Sequence, residues 1–182
     1  MISQFLERVR AKVRELQGEG GGAFAVRVRP VNTFKAMVAI GQYLIAEEDM
    51  DGVLASMGSR WEVLEYIMRR RVPRQPYIIS FSLEPSGWRR LRDRVYSASL
   101  FDLEAGDTCI KTAINACGHE YSSEEIFFMM EDASYFLPYH EEKTVARFFS
   151  RFTSSIKENG LIGIYIIPRG MSIRGLRIPE VD

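Results

Sequence analysis

Residues 126–132 read Ile-Phe-Phe-Met-Met-Glu-Asp, and the fold follows from how that run is taken. Ile126 to Met130 has no polar position at either helical or strand spacing. An unbroken short apolar run of this kind is expected of a central parallel strand, covered on both faces. It ends in two acids, Glu131 and Asp132. Further on, Val145, Phe148, Phe149, Phe152 and Ile156 fall at i, i+3, i+4, i+7 and i+11, the stripe of an amphipathic helix. Glu141 and Glu142 stand at its start, where the helix dipole favours negative charge, and Asn159-Gly160 ends it. Leu161 to Ile167 is a second buried strand. Strand, helix, strand in this order is a parallel unit with a right-handed crossover.

The same alternation extends upstream. Ala23 to Val28 reads as a strand stopped by Arg29-Pro30. Phe34, Met37, Val38, Gly41, Leu44 and Ile45 form a helical stripe, with Asn32 or Thr33 as its N-cap. Val53 to Met57 is a short buried strand. Ser59 and Glu62 match a capping box opening a helix with Val63, Leu64, Ile67 and Met68, which stops before Pro73. Tyr77 to Leu83 is the next strand, and Pro85-Ser86-Gly87 a turn. Trp88, Leu91 and Val95 suggest a short helix, and Ala98 to Leu103 another strand. Asp107 is read as the cap of a helix through Ile110, Ala113, Ile114 and Cys117, closed by Gly118. Ile173 to Ile178 reads as a final edge strand, because Pro179 follows. The expected class is α/β, with a mainly parallel central sheet and helices on both faces.

At the N-terminus, Ile2, Phe5, Leu6, Val9, Val13 and Leu16 repeat at helical spacing, with Ser3 as N-cap. Gly18-Glu-Gly-Gly-Gly22 stops that helix and supplies slack. The expected organisation is a helix with a glycine-rich tether over 1–22 and one α/β domain over 23–182.

The 182 residues suit one domain with a sizeable core. Lysine plus arginine number 24, as do aspartate plus glutamate, so the formal net charge of zero gives no global steering toward nucleic acid or an anionic membrane. Cys109 and Cys117 lie eight residues apart in one predicted helix, about 12 Å along its axis. That excludes a disulfide between them and makes both small core residues. The charged segment from Met1 to Gln17 is no signal peptide, and no apolar run nears the ~20 residues of a membrane span, so a cytoplasmic protein is expected. His119 and His140 have no partners at metal-ligand spacing.

Glu131 and Asp132 are the first candidates for chemistry. In phosphate-loop ATPases an acid at the end of an apolar strand holds magnesium, and open α/β sheets bind ligands beyond the carboxyl ends of their strands. The plain alternative is that the chain turns polar as it returns to solvent. A phosphate loop needs glycines and a lysine after the first strand. Here that place holds Arg29-Pro-Val-Asn-Thr-Phe-Lys35, without glycine, and the glycine run precedes the strand. ATP binding in the usual mode is not expected. Arg69, Arg70, Arg71 and Arg74 gather at one helix end, and Arg89, Arg90, Arg92 and Arg94 follow the next strand. Such a run serves as a solvated face, as a dock for an acidic protein surface, or as a nucleic-acid contact. Exposed Trp or Tyr beside it would favour single strands. Phe136-Leu137-Pro138-Tyr139 covers a ligand or closes the core.

Three segments carry a family resemblance. EEIFFMMEDASYFLPYHEEKTVARFFSRFTSSIKENGLIGIYIIP (124–168) resembles the Walker B strand of the RecA superfamily with the helix and strand after it. VLASMGSRWEVLEYIMRRRVPRQPYIISF (53–81) resembles the strand, helix and strand that follow the phosphate-loop helix. VNTFKAMVAIGQYLIAEE (31–48) resembles that helix itself, without its loop. The chain thus resembles archaeal KaiC- and RadA-like proteins, most of all small relatives with inactivated nucleotide sites. The resemblance implies a RecA-like three-layer sandwich, and it aligns either Glu131 or Asp132 with the Walker B acid. By position it offers Glu84, after Tyr77 to Leu83, as the acid that would activate water. Cell-division inhibitors of the SulA type are likewise similar to RecA in fold, lack the phosphate loop and act by binding another protein.

The leading expectation is therefore a non-catalytic protein-interaction or regulatory module that needs no cofactor. Its partner is a protein, either a second copy or an active RecA-like ATPase, and Arg69, Arg70, Arg71, Arg74, Arg89 and Arg90 are the candidate contacts. One alternative is a divergent ATPase that binds Mg-ATP through Glu131 and Asp132. The other is nucleic-acid binding through the arginines.

Overall fold

The computed structural model describes residues 2–182, and Ile2 without its side chain. Five helices, α1 (Ile2–Gly18), α2 (Thr33–Ala46), α3 (Trp61–Arg71), α4 (Leu103–Tyr121) and α5 (Glu142–Glu158), pack on one eight-stranded sheet. Its strands are β1 (Gly22–Val28), β2 (Asp51–Met57), β3 (Tyr77–Ser82), β4 (Trp88–Arg92), β5 (Val95–Ser99), β6 (Ile126–Met130), β7 (Ile162–Pro168) and β8 (Glu180–Val181). Their order is β4-β5-β3-β2-β6-β7-β1-β8, and every neighbouring pair is parallel except β4 with β5. This is the three-layer α/β sandwich that the strand and helix alternation called for. No helix among the described residues is long and apolar enough to cross a membrane.

The apolar run Ile126–Met130, β6, sits near the sheet's centre. Phe127 and Met129 point to the layer of α1, α2 and α3, while Ile126, Phe128 and Met130 point to that of α4 and α5. All five are buried, which is why no periodicity shows in the sequence. Phe127 takes its room from a neighbour. A Cβ built on Gly52 of β2 would lie 2.3 Å from the ring. Cys109 and Cys117 lie on the buried face of α4, and burial pushes each thiol up to about 12.

Several local expectations are corrected. Trp88, Leu91 and Val95 form no helix but lie in an antiparallel hairpin, β4 and β5, closed by Asp93 and Arg94, the latter at φ 62°. Leu91 and Val95 pack on one face while Trp88 meets Tyr96 on the other, so their helix-like spacing was accidental. A bulge between Arg90 and Arg92 shifts the register. The strand placed at Ala98 to Leu103 is β5, ending at Ser99. Helix α4 starts one turn earlier than expected. Asp102 caps it by accepting from Ala105 N–H at 3.0 Å, and Asp107 lies inside the helix. Ser59 does not cap α3. It has φ 60°, and the N-cap position falls on Arg60 without a side-chain bond. The last strand is the two-residue β8, because the chain turns at Gly175 and buries Ile173 in the α4 and α5 layer. Ser3 lies within the first turn of α1 rather than before it.

The N-terminal glycines form a bonded turn rather than slack. Gly21 N–H closes α1 on Leu16 C=O at 2.8 Å, and Gly22 N–H joins β1 to Leu161 C=O at 3.0 Å. Val9, Val13 and Leu16 are buried against the sheet, so α1 is a member of the same layer as α2 and α3.

Candidate functional site at the carboxyl edge

Seven strands run parallel, so their carboxyl ends share one edge, and β4, running back, contributes its first residue there. At the centre of that edge β2 and β6 are neighbours. The chain leaves β2 into α3 on one face and leaves β6 toward α5 on the other. This divergence is the switch point at which open α/β sheets leave a crevice.

Glu131 lies in that position, 1% exposed. Its backbone N–H continues the ladder to Ala55 C=O at 2.9 Å. Its carboxylate accepts from Ser56 Oγ at 3.3 Å, Met57 N–H at 3.2 Å and the Arg60 guanidinium. Burial pushes its pKa above the usual carboxylate value, against the opposing pull of the Met57 N–H and Arg60. Arg60 is half-exposed and its guanidinium lies 4.8 Å from the ring centre of Phe34, in the first turn of α2. One arginine thus links the ends of β2 and β6 to the start of α2. It reaches that place because Gly58 and Ser59 both have positive φ and reverse the chain directly after β2.

Asp132 turns elsewhere. Its Oδ1 accepts from Ser134 N–H at 2.9 Å and Ser134 Oγ at 2.6 Å, opening the 3-10 segment Ala133–Tyr139. Burial raises its pKa as well. The two acids adjoin in the chain but share no hydrogen-bond partner. Glu84 follows β3, pairs with Arg89 at 2.8 Å, and has no bond to either acid. The β1–α2 connection is a 3-10 turn, Pro30–Asn32, with Asn32 at the N-cap position and no side-chain cap. Among the described residues, no three His, Cys, Asp or Glu side chains gather as metal ligands.

Most of the arginines that lie close in sequence are paired with acids, and Arg69 and Arg92 share one, Glu65. Arg69 approaches Glu65 at 3.7 Å, and Arg70 stacks 3.7 Å over Tyr66. Arg74 holds Asp51 at 2.6 Å and Asp49 at 2.9 Å at the opposite, amino edge. Arg90 pairs with Asp93 and Arg94 with Glu120. Arg92 joins Glu65 and lies 4.8 Å over the Trp61 ring. Arg71, exposed at the end of α3, has no ion-pair partner among the described residues. Phe136 of the aromatic loop closes the core, packing edge-on to Phe81 and Phe149, and Tyr139 is exposed.

A second set of residues at this edge had gone unread in the sequence. Val31 after β1 is 87% exposed and Leu83 after β3 is 62% exposed. Phe101 follows β5, Tyr135 and Tyr139 follow β6, Met171 follows β7, and Trp88 opens β4, all of them exposed. Phe101 and Tyr139 meet edge-to-face with ring centres 5.1 Å apart, and His140 Nε2 binds Leu100 C=O at 2.7 Å, tying the two loops together. The signal is visible in retrospect: a large apolar residue stands one to a few places beyond most strand ends. No protein-family model matches this chain, and no curated protein matches its sequence.

Proposed function

We propose that the protein is a non-catalytic interaction module built on a degenerate RecA-like scaffold, and that it binds another protein through the carboxyl edge of its sheet. The row of exposed large apolar side chains along that edge carries the reading. Exposed patches of aromatic, aliphatic and Met side chains beside arginines have the composition of protein-binding surfaces. The engagement of Glu131 supports it from the other side. A carboxylate taken up by Ser56, Met57 and Arg60 is spent on holding β2, β6 and α3 together. Regulation of an active RecA-like ATPase, the role implied by the resemblance, would use this edge as the contact.

Two measurements test the proposal. Binding partners recovered with the wild-type chain from its host, and identified by mass spectrometry, are expected to be lost with Phe101→Ser/Tyr139→Ser. Partners retained by that variant would remove the edge from the proposal. Titration calorimetry with Mg-ATP is expected to show no heat of binding, and micromolar affinity would overturn it in favour of the ATPase.

A further inference from the structure

We infer that the protein forms a symmetric dimer through α4 and α5, with a second copy of the chain lying over the groove between them. This surface adjoins the carboxyl edge, where α4 and α5 begin, but it is tested by association of the chain with itself, whatever other protein the edge binds.

The α1, α2 and α3 layer is three helices wide, whereas only α4 and α5 cover the other face. Between them lie two adjoining clefts of about 320 and 370 Å³, meeting at Lys111. The half-buried side chains of Leu103 and Phe148 reach the first of these clefts. Both helices lead back from the carboxyl edge to a parallel strand, so they run in the same direction.

The two walls of the first cleft carry opposite charge. Glu104, Asp107 and Lys111 line it from α4, with one negative charge in excess, and Arg147 and Arg151 line it from α5. Asp107 is bridged by Lys111 at 2.9 Å. Glu104, Arg147 and Arg151 have no ion-pair partner among the described residues. Within one chain the walls do not close on each other. A two-fold axis laid along the groove places the α4 of one copy over the α5 of the other at the same level, and the acidic wall then meets the basic wall twice. A two-fold interface requires a patch that is its own complement, and this one is. Helices of 19 and 17 residues, about 28 and 25 Å long and side by side, offer roughly 500–650 Å² per copy, at the lower end of the range of specific dimers.

Sedimentation velocity of the full chain over a hundredfold concentration range tests this, with thermal unfolding as the check on each variant. The wild type is expected to be a dimer that weakens with salt. Both Arg147→Glu/Arg151→Glu and Glu104→Arg/Asp107→Arg are expected to weaken association by about a hundredfold, because opposed charges become like charges. An equimolar mixture of the two variants is expected to dimerise again, since each reversed wall then meets its complement. If the α4 double variant fails to fold, Glu104→Arg alone takes its place in the mixture. A monomeric wild type overturns the inference, as does a dimer indifferent to the charge reversals or a mixture that stays monomeric.

Discussion

At the amino edge of the sheet Asp51 opens β2, is 5% exposed, and accepts from Arg74 at 2.6 Å. At the carboxyl edge Glu131 follows β6, is 1% exposed, and accepts from Arg60. Each end buries one carboxylate and clamps it with an arginine brought to it by the fold. Around these clamps the ends differ. The amino edge presents Glu19, Glu47, Asp49, Glu124, Glu125 and Asn159 to solvent, whereas the carboxyl edge presents Val31, Leu83, Trp88, Phe101, Tyr135, Tyr139 and Met171. A device found at both ends is a way of closing a sheet on itself, so the acid–arginine pair alone does not mark chemistry. The apolar rim, present at one end, is what sets that end apart.

The comparison breaks first on stability. Glu131→Ala strands Ser56 Oγ and Met57 N–H in a buried site and leaves Arg60 without its partner, so it is expected to cost about 3 kcal/mol in chemical denaturation. Asp51→Ala leaves Arg74 with Asp49 and is expected to cost about 1–2 kcal/mol. If Glu131→Ala proves neutral, the clamp is not structural and the acid is free for other work.

The sheet was legible because its signal is local. Phe127 and Phe128 face opposite layers, and two buried faces in a row can be written only with apolar residues. The partners of Glu131 were not legible, since Arg60 and Ser56 lie more than 70 positions away and meet it only through the pairing of β2 with β6. Nor was the hairpin, because a bulge at Leu91 and a turn at Asp93-Arg94 leave Trp88, Leu91 and Val95 at helix-like spacing across two strands. The pairing of the arginines was hidden for a related reason. Arg69 of α3 and Arg92 of β4 meet over Glu65, while Arg74, Arg89 and Arg90 find Asp51, Glu84 and Asp93, pairings set by the fold rather than by nearness in sequence.

A finer test uses pH. Burial raises the Glu131 pKa, so the folded state holds that proton more tightly than the unfolded state. Between the unfolded and folded values the folded protein binds more protons, and stability from this group is full at acid pH and lost as pH rises through that window. Glu120 works in the opposite sense. The Arg94 guanidinium holds it below the usual range, and its contribution is lost as pH falls. Glu131→Gln is therefore expected to cost most near pH 4 and less toward pH 7, and Glu120→Gln the reverse. Parallel pH profiles for the two variants would show that the burial of Glu131 does not govern its proton.

The smallest expected effect bears most directly on function. Phe101→Ser/Tyr139→Ser removes an edge-to-face pair whose members are 45% and 36% exposed, so it is expected to shift unfolding free energy by only about 1 kcal/mol. Less than about 0.5 kcal/mol is expected of Leu83→Ser and of Val31→Ser, whose side chains are more exposed. Residues that contribute so little to folding have no structural reason to be large and apolar at one edge only. Loss of a partner with little change in stability would tie them to binding. A drop of several kcal/mol would instead show that the rim holds the loops after β5 and β6 in place, and the difference between the two edges would then be a difference in folding.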